Sequence, residues 1–227
     1  DRRGSPLAKV KGTYGVVRGA TSFLVGAIEK DVSRFEDFGY LFEETILYAT
    51  SLGLGTCWMG GTFDRALFGE ASGIEPGEIV PAVSPVGVPA SKRSAVDSLF
   101  VLAAGSRTRK AFGEIFFKDT FAHPLNERMA GPYAQALEMV RLAPSSSNRQ
   151  PWRVVMAGDS FHFFLRRTPL YGRLFGAVDL QRIDMGIAMY HFERTLKDEG
   201  IVGRWREMPG AAEGAGPWTE YVVSFVP

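Results

Sequence analysis

The chain is poor in the residues that build metal centres and disulfides. Among its 227 residues there is one cysteine, Cys57, and there are three histidines, at positions 123, 162 and 191. A single thiol cannot close an intramolecular disulfide, and the histidines share no ligand spacing with it, so no metal site is expected and a reducing cytoplasm fits best. Neither sign of charge is in excess: 26 Lys plus Arg against 25 Asp plus Glu leave a formal net charge of +1. Such a balance gives no global field for nucleic acid or an anionic membrane, and any anion site has to be local. Long apolar runs are missing too. The stretch "GVVRGATSFLVGAI" is broken by Arg18, so no segment is expected to span a bilayer. The first residue is Asp1, with no methionine or apolar signal, the start expected of a truncated or processed chain.

What is present is core material. Hydrophobic residues make up 45% and aromatics 12%, enough to bury a sizeable core in one large or two small units. "TYGVVRGATSFLVGAIE" reads as a hairpin or two short strands around "RGA". Residues 38–52, apolar on most faces and followed by Gly53, predict a buried helix with a glycine stop. A short helix is expected over 63–71, capped by Thr62 or Asp64. "EIVPAVSPVGVPA" reads as a buried strand whose prolines place it at an edge or a bend. "RTRKAFGEIFFKDTF" has helical spacing, with Phe112, Ile115 and Phe116 on one face. A further helix over 133–142 stops at Pro144, and 152–156 and 161–165 flank "AGDS" as strand, turn and strand. "IDMGIAMYHFERTLKDEG" predicts a second long helix ending in glycine, and "TEYVVSFV" a last strand.

The order of elements repeats. At an offset of 147, Asp37, Gly39, Gly53 and Trp58 fall on Asp184, Gly186, Gly200 and Trp205. This predicts two related halves, residues 1–110 and 133–227, joined by a helical connector over 111–132. They would pack as an internal pseudo-dimer with the two long helices against each other.

Three segments could carry chemistry. "GLGTCWMGG", residues 53–61, follows a helix end rather than leading from strand to helix, so it is no dinucleotide fingerprint. Gly60 and Gly61 let backbone approach a flat ligand, with Trp58 and Met59 as an apolar wall; a helix cap followed by a core turn is the plainer alternative. "GSRTRK" gathers Arg107, Arg109 and Lys110, a local cation cluster that could clasp a phosphate or simply open a solvated helix. "APSSSNRQPW", residues 143–152, carries more small polar side chains than a turn requires, between two stiffening prolines. Cys57 reads as a buried, inert thiol and His191 as a satisfied core histidine, and one of Glu43 and Glu44 is expected to be buried and paired. No residue is assigned a catalytic role.

Taken together, "APSSSNRQPW", "YATSLGLGTCWMGG", the strand into "VGVPA" and "RTRK" resemble the flavin-dependent nitroreductase superfamily in its internally duplicated branch. The first is close to the family's P-S-x-x-N-x-Q-P-W stretch and the second to its L-G-L-G-x-x-W-x-x-G region. The resemblance implies an α+β nitroreductase-like fold, with a mixed, mostly antiparallel sheet around central helices in two tandem pseudo-symmetric halves. It also implies FMN, held where members hold it between two subunits, here between the halves of one monomeric chain. By match to family positions, the Gly60 and Gly61 amides face the flavin edge, and Arg107 and Arg109 grip its phosphate. Pro144, Ser145, Ser146 and Asn148 reach it from the other half, while Trp58 and Met59 line the substrate side. The implied activity is ping-pong hydride transfer from NAD(P)H to a small flat acceptor such as a nitroaromatic or quinone, with no nucleic-acid or membrane partner. A degenerate flavin-binding or scaffold protein without turnover is the alternative. The family's N-terminal phosphate-binding arm finds no match in "DRRGS", and Glu207 stands where Gly60 would recur. One FMN site per chain is therefore expected.

Overall fold

A computed structural model describes residues 17, 19–30, 34–89, 108–171, 176–208, 210 and 214–227; "DRRGS" and Arg107 lie outside these. In the first half, strands β1 (Phe23–Val25) and β2 (Ile28–Glu29) lead into helix α1 (Phe35–Ser51). Strand β3 (Gly55–Thr56), helix α2 (Arg65–Ser72) and strands β4 (Glu78–Ile79) and β5 (Val83–Gly87) follow. The second stretch runs α3 (Phe112–Ile115), β6 (Phe116–Lys118), α4 (Glu127–Ala130), α5 (Ala134–Leu142), β7 (Trp152–Ala157) and β8 (Ser160–Arg166). Helix α6 (Leu180–Asp198), β9 (Arg204–Arg206) and β10 (Thr219–Val226) close it. The mixture of helices and sheets is the α+β architecture expected.

Helix α1 forms because Phe35, Phe38, Phe42, Ile46 and Ala49 recur at three- and four-residue spacing and are all buried. Helix α6 is buried almost all round and is started by Asp179, whose carboxylate accepts the Gln181 and Arg182 amides. Both helices end at a left-handed glycine, Gly53 at φ 77° and Gly200 at φ 78°. In each, the residue after that glycine bonds back into the last turn, Leu54 N–H to Ala49 O and Ile201 N–H to Leu196 O. The two helices cross at Gly39 and Gly186. A methyl built on Gly39 would lie 2.1 Å from the Ile183 carbonyl oxygen, and one on Gly186 1.9 Å from that of Glu36. Only glycine permits backbones to approach this closely.

The larger sheet has the order β6-β7-β8-β10-β9, with β6 parallel to β7 and the other pairs antiparallel. Trp152, Val154, Phe161, Phe163 and Leu165 point from it into the main core, where they meet Leu137, Val140 and Phe192 of α5 and α6. The smaller sheet, β1-β5-β3, covers a separate cluster of Met59, Phe63, Phe68, Val80 and Val83.

Strand β1 pairs with β5 and β2 with β4, while most of the segment before "RGA", the other side of the expected hairpin, lies outside the described residues. Three expectations need correction. Strand β5, despite Pro85, is central rather than at an edge. Pro85 gives the ladder no N–H, and beside it the Cys57 N–H, one step beyond the Thr56–Val86 pair, turns to the Ser84 hydroxyl at 2.9 Å instead of to backbone. The "RTRK" segment is not one helix: it keeps a single turn, α3, and then Phe116 and Phe117 extend alongside Val154 and Val155 as β6. Burial of Phe116 in the sheet outweighs its helical spacing. Lastly, Cys57 is exposed, its neighbours Trp58 and Met59 having taken the inward positions.

Candidate functional site

The "APSSSNRQPW" loop is built by its own polar side chains. Ser145 O accepts the Asn148 N–H and Ser145 Oγ the Gln150 N–H, both at 2.9 Å. The Gln150 amide group is buried, accepts the Lys110 N–H at 2.8 Å and donates to Asn148 Oδ1 at 3.1 Å. Ser147, Asn148 and Gln150 all have positive φ, 49°, 50° and 48°. Non-glycine residues rarely occupy this region, at a cost of about 1 kcal/mol or more each, and such backbone concentrates at functional sites. The serines and amides are what hold the loop in this shape.

Two further anchors fix the loop in place. Ser146 N–H donates to Asp184 Oδ1 of α6 at 2.8 Å, and the Ser146 and Ser147 hydroxyls meet Tyr171 Oη at 2.6 and 3.0 Å. Asp184 is buried, its Oδ2 has no hydrogen-bond partner, and burial pushes its carboxyl up to about 8. On the other side, Arg109 donates to Leu142 O at 2.9 Å and to Asn148 Oδ1 at 3.3 Å, while Asn148 Nδ2 donates to Thr108 O at 3.0 Å. Burial, and then the nearby Arg141, lower the Arg109 guanidinium below its ordinary range.

The glycine turn of the first half reaches the same end of α6. Reciprocal bonds between Met59 and Val83 at 2.9 and 3.0 Å fix the chain just before Gly60. A methyl on Gly60 would stand 2.8 Å from the Leu180 side chain, the first residue of α6 and one turn before Asp184. The Gly60 carbonyl accepts from Arg65. Among the described residues neither the Gly60 nor the Gly61 N–H finds an acceptor.

The structure therefore brings Gly60 to Leu180 and the loop of Ser145, Ser146 and Asn148 to Asp184 at the start of α6; Arg109 joins them through Asn148 and Leu142, Pro144 is half-buried and Gly61 exposed. It does not make a wall of Trp58 and Met59. Met59 is spent on the small core, and Trp58 packs on Phe42 at 4.8 Å with its Nε1 donating to Glu43 at 2.7 Å. Their side chains serve separate clusters because alternate residues of an extended segment point to opposite faces. Glu43 is the buried member of its pair, as expected, and also bonds His191 Nε2 at 2.9 Å. Tyr171 and the role of Asp184 were missed. Asp184 carried a signal in its repeat match, an acid between the apolar Ile183 and Met185.

The model of the family described as "Putative TM nitroreductase" matches residues 7–196, more than half of the chain. The chain belongs to that family. Its structure is similar to the crystal structure of a putative nitroreductase from Thermotoga maritima, with a TM-score of 0.58. Identity is 19%, over 90% of this chain and 70% of that one, a likeness of fold. No curated protein matches the chain. Among the described residues no helix is long and apolar enough to cross a membrane, and no group of three or more potential ligands could hold a metal ion.

Proposed function

We propose that this nitroreductase-type oxidoreductase works with FMN, taking reducing equivalents from NAD(P)H and delivering them to a small flat acceptor such as a nitroaromatic or quinone. The observation that carries the reading is the convergence on the first turns of α6 of a glycine turn with two unsatisfied amides and a strained, polar loop from the other half. Family membership supports it further.

The residues present fit a flavin. The Gly60 and Gly61 N–H groups are donors of the kind that the carbonyl edge of an isoalloxazine needs, and the lack of side chains there allows a ring to come close. When bound, FMN accepts a hydride and passes it on; the protein supplies orientation and electrostatics. Arg109, joined by Arg107, would face the phosphate, and Ser145, Ser146, Pro144 and Asn148 would border the ring from the second half. Asp184 holds the Ser146 amide and so keeps the loop in register. A neutral Asp184 avoids placing a buried negative charge beside a site that gains electrons.

We further propose that residues 1–110 and 133–227 form an internal pseudo-dimer. Supporting this, pairs 147 positions apart play matching parts: Gly39 against Ile183 answers Gly186 against Glu36, and Gly53 answers Gly200. The site would then belong to both halves, in a monomer whose place is the cytoplasm. The test is the visible spectrum of the purified chain with added FMN, followed by NAD(P)H oxidation with a quinone. A flavin spectrum with turnover is expected; a folded chain that ignores FMN would refute the reading, and flavin binding without turnover would leave only a binding protein.

A further inference from the structure

Next to the flavin loop, on a different face, three cations share one patch without an anion. Lys110 Nζ and Arg153 Nη1 converge on the same acceptor, the Gln150 carbonyl, at 3.4 and 3.2 Å. Arg153 is held further by Trp152 O at 2.6 Å. Arg166 lies on the same face of the sheet, since Arg153 stands opposite Phe164 in the β7-β8 register and Arg166 is two residues further along β8. Arg166 Nη1 is bound to Thr219 Oγ1 at 3.1 Å.

The charges are compensated only in part and without ion-pair contact. Among the described residues, none of the three has a carboxylate within ion-pair distance, whereas Arg141, Arg167, Arg182 and Arg194 elsewhere in the chain are all paired with acids. The nearest acid is Glu114, whose carboxylate already accepts the Ala111 N–H at 2.6 Å. Arg149 adds a fourth charge nearby, stacked over the Tyr171 ring. Burial and then mutual repulsion draw Lys110 down to about 8 and Arg153 to about 10. Lys110 and Arg153 are half-buried like charges held together by one backbone carbonyl, with the exposed Arg166 beside them, an arrangement that is costly unless an anion completes it.

We infer that Lys110, Arg153 and Arg166 form an anion site for a phosphate group, separate from the Arg109 contacts with Leu142 and Asn148. A fork from Arg153 and a point charge from Lys110 suit a tetrahedral dianion, each charge-assisted bond adding to the hold. The phosphate could be that of a nicotinamide nucleotide or the free ion; the chemistry is shared, and the experiment separates the sources.

Thermal unfolding of the full chain is followed in inorganic phosphate and in chloride of equal ionic strength. Phosphate should raise Tm above chloride, and Lys110→Gln with Arg153→Gln should raise the half-saturating phosphate concentration by about tenfold or more. Arg194→Gln, which removes an exposed cation paired with Asp198, should keep the response. If the double variant loses its native circular dichroism, Arg166→Gln alone must weaken the response several-fold. NADPH that reaches half-saturation below inorganic phosphate, and loses that advantage in the variants, identifies a nucleotide as the source; equal behaviour of NADPH and NADH with no advantage over phosphate identifies the free ion. Phosphate no better than chloride, or variants that respond like the wild type, would overturn the inference. None of these readings needs bound FMN, so they stand or fall apart from the proposed activity.

Discussion

Gly39 and Gly186 each admit the backbone of the opposite long helix, Gly39 facing Ile183 and Gly186 facing Glu36, and the two contacts are related by one shift of 147 residues. The helices that carry them form the centre of the molecule, and the Gly60 turn and the Ser146 loop meet α6 at its first turns. Neither contact leaves space for a methyl group.

Gly39→Ala and Gly186→Ala should therefore each force the helices apart. Overpacking of this kind costs typically about 1–3 kcal/mol, and here the obstacle is backbone rather than a flexible side chain. Urea unfolding should show a lower midpoint for each variant, with the loss in Gly186→Ala at least as large as in Gly39→Ala. Unchanged midpoints would mean that the close crossing is not a feature of the protein in solution.

Asp184 gives a pH dependence with a definite sign. Its carboxyl is raised from 3.8 to about 8 by burial, so between those values the folded state binds a proton that the unfolded chain has released. The stabilisation from the neutral carboxyl is full below the unfolded value and is lost as pH rises toward about 8. Relative to Asp184→Asn, the wild type should lose stability on going from about pH 5 to about pH 9. The slope is the readout, because the amide itself changes stability by a constant amount. Parallel curves for the two proteins would show that Asp184 is ionised throughout.

Much of this was legible in the sequence, and what was not has physical reasons. The long helices appeared in the spacing of Phe38, Phe42 and Ile46 and in their glycine stops, and "TEYVVSFV" is strand β10 residue for residue. The second-half loop was visible because serines, Asn148 and Gln150 crowd between prolines. Phe116 misled because helical spacing over four residues cannot outweigh a place beside Val154 in a sheet, which only the fold reveals. Pro85 misled in the same way, since the place of its strand between β1 and β3 is a tertiary detail. Tyr171, more than twenty residues from the serines that it bonds, left no local trace.

Glu43 ties helix α6 to the turn after α1, accepting from Trp58 Nε1 and meeting His191 Nε2. Glu43→Ala would leave two part-buried groups without their partner and is expected to cost about 2 kcal/mol or more, whereas Glu43→Gln keeps an acceptor and should cost about half as much. Chemical denaturation of both variants checks the order. An equal loss, or none, would show that the carboxylate does not bridge these groups. A Trp58→Phe background should also reduce the cost of Glu43→Ala, since one of the stranded donors is then already absent.

The central claim is that one flavin site is assembled from both halves, and a titration of FMN fluorescence against the chain tests it most directly. The wild type should quench FMN saturably at one equivalent per chain. Arg109→Ala and Asn148→Ala, which alter the contact between residues 108–110 and the second-half loop, should each weaken binding about tenfold or more. Arg109→Lys should recover part of the loss. A folded wild type that fails to quench FMN, or variants that bind it as tightly as the wild type, would contradict the account.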